Sequence, residues 1–301
     1  SEYNNYNPGD GTGDLFFHLD PLWADGNIDF VGVDLYVPLS DWRDGNAHID
    51  ALAGAASIYD LDYLRGNVEG GEDYDWFYAD AHARDVQDRS AITDGAYGKP
   101  WVYRAKDFRG WWLNQHFDRP GGIESGTPTA WTPQGKPIWF TEFGIPSVDK
   151  GTNQPNVFYD PKSSESELPY YSRGTRDDLI QRRGIEAMLS YWGANNPVSS
   201  VYGGPMVGLL AVWTWDARPY PAWPSRTDAW GDGDLWPLGH WLNGKIGLAD
   251  LAALVAERCE RVAFTQYDVT ALAGIVVGYV RDRPMSPRAE IELLMNAYAF
   301  A

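Results

Sequence analysis

The sequence predicts an α/β protein, with parallel strands covered by helices on both faces, followed by a small, mostly α or α+β segment. Three near-continuous apolar runs, helical patterns lying between them, and a change of composition after Trp236 carry this reading. Each run is polar only towards its C-terminal end, as buried parallel strands are, whereas half-solvated antiparallel strands alternate along their whole length. Strands that alternate with helical stretches argue for βαβ units.

The first run, residues 28–37 (IDFVGVDLYV), is β-branched and aromatic. Alternation places Asp34 and Tyr36 on one face of such a strand and Val33, Leu35 and Val37 on the other. The hundred or so residues before the next run exceed a simple crossover, so they must hold helices plus an inserted excursion. Residues 75–88 are a helical candidate there, and the Gly- and Pro-rich residues 121–133 read as loop. The second run is residues 137–143 (PIWFTEF) and the third residues 206–215 (MVGLLAVWTW). Between these two, residues 177–192 place Ile185, Met188, Leu189 and Trp192 at i, i+3, i+4 and i+7, with acidic residues in the first turn.

After Trp236 the Trp and Gly residues thin out and short amphipathic segments appear, which puts a boundary near residue 240 and divides the chain into 1–240 and 241–301. Residues 248–259 carry Leu251, Leu254 and Val255 on one face. Ser286 suits an N-cap and Pro287 a first helical position, leading into Ile291, Leu294, Met295 and Tyr298. The longest apolar run, residues 271–280, contains glycines and is too short to span a bilayer. No signal peptide is visible, and the start at Ser1 in loop-like sequence suggests that something upstream has been removed.

Fifteen Trp and 18 Tyr residues are the compositional signature. Such rings favour partly open surfaces, where a flat apolar face beside polar groups suits a sugar ring, although they equally fill cores and interfaces. With 24 Lys and Arg against 42 Asp and Glu, the net charge of −18 opposes binding to nucleic acid or to an anionic membrane. The single cysteine, Cys259, excludes an internal disulfide and a Cys-based zinc site, and its apolar surroundings suit a small buried hydrophobe. His18, His48, His82, His116 and His240 form no pair at ligand spacing and read as structural or surface residues. Asp232 and Asp234 in WGDGDLW lack the full calcium-loop spacing and read as a solvated turn. No metal or organic cofactor is expected.

Chemistry in a parallel α/β barrel lies at the C-terminal ends of the strands. Those ends are Asp34-Leu35-Tyr36, Thr141-Glu142-Phe143-Gly144 and Trp213-Thr214-Trp215-Asp216. Glu142 is the leading candidate, because a carboxylate directly after apolar strand residues is costly unless paired or functional. A structural Glu accepting backbone hydrogen bonds is the alternative. Gly144 would let the chain turn away and bring the backbone close to a ligand. Trp111, Trp112 and Trp223 either line a cleft or pack loops, and residues 147–175 form a candidate cleft wall.

The segments WFTEFG, VGVDLYVPLSDW and AVWTWDARPYPAWP resemble the TIM-barrel-like domain of gene-transfer-agent and phage tail proteins, which is itself similar to clan A glycoside hydrolases, particularly mannanase-like ones. The resemblance runs from the first residues to about 240. It implies a partial (β/α)8 TIM barrel holding strands six to eight. The stretch GHWLNGKIGLADL is similar to the tail-hub-like region that follows that barrel. By this resemblance Glu142 is the nucleophile of a retaining mechanism, Tyr36 orients it and Trp215 floors a sugar subsite, with Asp34, Trp213, Asp216 and Trp223 also binding substrate. The clan's acid/base Glu ends strand four, and nothing here matches it. SEYNNYNPGDG resembles the loop after strand five, so strands one to five are expected upstream. Retaining hydrolysis needs two carboxyls about 5–5.5 Å apart, so these 301 residues alone are expected to be inactive. The implied function is that of a glycoside-hydrolase-like component of a phage or gene-transfer-agent particle tail. It would act on host cell-surface polysaccharide during host attachment, with cell-envelope glycan and other tail subunits as partners, without nucleic acid or membrane insertion. A catalytically inactive glycan-binding adhesin and a structural tail-tip module are the alternatives.

Overall fold

The computed structural model describes residues 3–244, 249–276 and 283–300. Its centre is a three-stranded sheet of β1 (Val31–Leu35), β2 (Ile138–Phe143) and β3 (Val207–Val212), all parallel, in the order β1-β2-β3. Each strand lies inside one of the three apolar runs, so the mixed α/β class and the parallel pairing stand. Among the described residues the sheet is open and closes into no barrel, its edges being β1 and β3.

One face of this sheet is buried and the other is open, which corrects the expected cover of helices on both faces. Val31, Val33 and Leu35 of β1 join Ile138, Phe140 and Phe143 of β2 in the main core. The helices α1 (Leu61–Gly66) and α2 (Asp178–Asn195) pack on each other. Ala187, Met188 and Trp192 of α2 enter the same core, with Phe140 and Trp192 at 5.9 Å between ring centroids. The Asp177 carboxylate accepts from the Ile180 amide at 3.0 Å and starts α2 as an N-cap. The helix is rotated from the expected face. Its buried line runs through Ile180, Gly184, Met188 and Trp192, and Leu189 is left 44% exposed. Gly184 fixes this rotation, since a Cβ there would meet Ile145 at 2.6 Å.

The long segment before β2 corrects one expectation and decides between two alternatives. Residues 75–88 form no single helix. Trp76–Phe77 pairs antiparallel with Ser90–Ala91, and only Ala81–Val86 between them is helical. Asp80 caps that helix through the Ala83 amide at 2.8 Å, and Gln87 ends it with φ +57°. Trp111 and Trp112 do not line a cleft either, being 1% and 0% exposed in the core. Trp111 belongs to an aromatic cage with Phe17, Trp101 and Trp131 around His116. The His116 ring is fully buried, with Nδ1 2.8 Å from the Asp20 carboxylate and Nε2 2.8 Å from the Trp111 carbonyl.

The C-terminal residues form a second, small core. Leu251 and Val255 of α3 (Leu251–Glu260) and Leu294 of α4 (Pro287–Tyr298) meet Val276, with Leu254, Ile291 and Tyr298 packed around them. Ser286 caps α4 by accepting from the Ala289 amide at 3.2 Å, and Cys259 is buried. Residues 245–248 of the GHWLNGKIGLADL stretch and residues 277–280 of the apolar run 271–280 lie outside the described residues. Among the described residues no helix is long and apolar enough to cross a membrane.

Candidate functional site

The C-terminal ends of β1 and β2 meet on the other, open face of the sheet. Strict alternation along β2 would send Glu142 to the side of Ile138 and Phe140, into the core. The strand avoids this with a bulge. Val33 pairs with Phe140 but Asp34 with Glu142, and on the other edge Leu210 pairs with Phe140 while Val212 pairs with Phe143. Both neighbours therefore count one extra residue in β2 between Phe140 and Phe143. The bulge returns Phe143 to the core, leaves Thr141 exposed and keeps Glu142 half-buried. A β-bulge commonly re-aims a side chain in this way beside an active site.

Glu142 thereby meets Tyr36, whose hydroxyl donates to Glu142 Oε2 at 3.0 Å. Burial, and then the hydrogen bond and charge of Glu142, raise the Tyr36 phenol well above its ordinary range, so it stays a donor at neutral pH. Beside them Thr141 Oγ1 donates to Asp34 Oδ1 at 2.8 Å. His240 packs its ring edge against Tyr36, at 5.5 Å between centroids, and its Nε2 lies 2.9 Å from the Pro155 carbonyl. The sequence assigned His240 no role, and no local pattern marks a residue whose partner lies about two hundred positions away. Gly144 serves a close packing different from the one expected. A Cβ there would meet the Trp213 carbonyl at 2.4 Å and the His240 ring at 3.2 Å, so the glycine admits protein rather than ligand.

The loops around this pair are tied together. Lys106 is fully buried and donates to the carbonyls of Pro38 at 2.6 Å and Asn67 at 2.8 Å. Burial lowers its pKa to about 8. Ser40 bridges Thr152 and Asn153 at 2.7 Å each, joining the loop after β1 to the loop after β2.

Beyond β3 the predicted residues separate. Trp213 and Trp215 are 45% and 62% exposed. Trp213 lines a cavity of about 360 Å³ with Phe158, Thr214, His240 and Trp241. Asp216 is consumed by Arg218, whose Nε reaches both its oxygens at 2.9–3.0 Å while the other end of the guanidinium holds Asp232 at 2.8 Å. This pairing holds both carboxyls below their usual range. Trp223 is a correction. It is fully buried, with the Arg218 guanidinium 3.5 Å from its ring centroid and Trp230 and Trp241 edge-on, so it supports the loop and offers no face to a ligand. Asp232 lies in a turn with its side chain 40% exposed, as expected, and also pairs with Arg218. Among the described residues no three His, Cys, Asp or Glu side chains are grouped to hold a metal ion.

Residues 1–224 match the family model of the gene-transfer-agent (GTA) TIM-barrel-like domain. No curated protein matches the chain. Most of the cavity wall around Trp213, including His240 and Trp241, thus lies within or beyond the last residues of the match.

Proposed function

The chain belongs to the gene-transfer-agent TIM-barrel-like family, and from that membership we propose a glycoside-hydrolase-like function in a particle tail. Residues up to about 240 supply the last three strands of a (β/α)8 barrel, and residues 241–301 begin a tail-hub-like domain. Glu142 is the nucleophile. It attacks the anomeric carbon as the glycosidic C–O bond breaks, and water later releases the glycosyl group from the carboxylate. Tyr36 holds the carboxylate in place. Trp213 and Trp215 offer ring faces to the sugar, and Asp34 accepts hydroxyls beside them. Asp216 acts indirectly, by fixing Arg218 and the loop after Trp215. An acid from outside the described residues protonates the leaving oxygen. The substrate is a host-envelope polysaccharide, neutral or basic given the net charge of −18.

The observation that supports this reading best is the Tyr36–Glu142 hydrogen bond at the ends of adjacent parallel strands. Glycosyl fluorides test it without the missing acid, because fluoride leaves unprotonated. In a panel of 2-deoxy-2-fluoroglycosyl fluorides, C1–F breaks, C1–Oε forms, and the ester is located by peptide mass spectrometry. Labelling at Glu142 that disappears in Glu142→Gln and slows in Tyr36→Phe is expected. Glycan binding without any labelling would select the adhesin reading, which the exposed Trp213 and Trp215 also favour.

A further inference from the structure

A second cleft, of about 380 Å³, opens between the Ala81–Val86 helix and the loop bearing two consecutive tyrosines. Tyr78, Asp80, Arg84, Asp85, Tyr170 and Tyr171 line it. Its volume lies within the roughly 300–1,000 Å³ usual for ligand sites. Tyr171 sits at φ +64°, a conformation that is an outlier for a bulky residue and persists only where surroundings enforce it. Its surroundings do so. The hydroxyl donates to Asp85 at 2.9 Å, and the Arg43 guanidinium lies 3.5 Å from the ring centroid. The preceding carbonyl, of Tyr170, accepts from Asn153 at 3.0 Å.

The charges narrow the ligand class. Arg84 lies 3.9 Å from the Tyr170 ring centroid and 4.7 Å from that of Tyr78, and Glu72 neutralises it through a bidentate pair. With Arg43 and Arg84 already against the tyrosine rings, an incoming cation would find these cation–π positions taken and two guanidinium groups nearby. An anion would meet Asp80 and Asp85. Each of these carboxylates spends one oxygen on the protein, Asp80 on the Ala83 amide and Asp85 on Tyr171. The other oxygen of each, and the Tyr170 hydroxyl, have no hydrogen-bond partner among the described residues. What remains is hydroxyl recognition beside aromatic rings. We propose that this cleft is a second ligand site, distinct from the Glu142 rim, that binds a neutral saccharide.

The test uses the whole chain carrying Trp215→Ala, so that binding at the rim is suppressed, and titrates cello-, malto-, manno- and chitohexaose by calorimetry. Binding of at least one hexasaccharide is expected, weakened tenfold or more by Tyr170→Ala and threefold or more by Asp80→Asn. Asn keeps the helix cap, so Asp80→Asn decides the matter if Tyr170→Ala fails to fold. Saccharide binding unchanged by both variants, or absent for all four probes, overturns the proposal. Binding of hexalysine that is lost in Asp85→Asn overturns it in favour of a cationic partner.

Discussion

The two faces of the parallel sheet are made from the same three strands and differ in almost every physical respect. Towards the helices, Val31, Val33, Ile138, Phe140 and Phe143 are at most 2% exposed, and Phe140 packs against Phe108 and Trp192. On the other side Asp34 and Thr141 are exposed, Phe30 stacks on Trp139 at 3.8 Å, and the polar pair of Tyr36 and Glu142 closes the strand ends. One face supplies stability through dense packing, and the other holds groups that packing would neutralise. The bulge between Phe140 and Phe143 is what divides them, since without it the carboxylate and the phenyl ring would exchange places.

Placing a carboxylate on the packed side should have the largest effect. Phe143→Glu puts an unpaired charge into the apolar layer, at a cost of about 3–5 kcal/mol on top of the lost Phe143 packing. Urea unfolding should show a chain that is unfolded or barely stable, and a midpoint near that of the parent would refute the division. Next come matched truncations. Phe140→Ala and Trp223→Ala should each cost about 3–5 kcal/mol as cavities, whereas Thr141→Ala and Trp215→Ala should stay within about 0.5 kcal/mol. If Trp215→Ala destabilised as much as Trp223→Ala, the rim would be a core.

A smaller effect concerns how the buried side holds the rim. Lys106 ties the Tyr36 loop to the end of α1, and burial lowers its pKa to about 8, with Asp73 and Glu72 acting against that shift. Below pH 8 the ammonium is charged in both folded and unfolded chains, so its burial cost is fully present. That cost is relieved as pH rises from 8 towards the ordinary value near 10.5. Relative to Lys106→Met, the parent should therefore gain about 2 kcal/mol between pH 8 and pH 10. A pH-independent gap would show that the ammonium is solvated.

The strands were legible because their apolar runs are near-continuous even though only one face is buried, the open face carrying Phe30 and Trp139 stacked on each other, and α2 because an acidic cap precedes a periodic stretch. The bulge left a readable trace in the spacing of Ile138, Phe140 and Phe143, which breaks period two, but alternation alone still places Glu142 wrongly. The tryptophans were ambiguous for a physical reason. Trp215 and Trp223 sit eight residues apart in similar sequence, and the packing of Arg218, Trp230 and Trp241 around Trp223 decides which is buried. The Asp20–His116 and Tyr36–His240 contacts join residues about one hundred and two hundred positions apart, which no local pattern encodes.

The face assignment along β2 can be read by cysteine accessibility. In a Cys259→Ala background, Thr141→Cys, Glu142→Cys and Phe143→Cys would each be exposed to a small thiol reagent under native conditions, with labelling followed by mass spectrometry. The bulge predicts fast modification at positions 141 and 142 and protection at 143. Protection at 142 together with fast labelling at 143 would mean that β2 alternates without a bulge, and that Glu142 faces the helices rather than Tyr36.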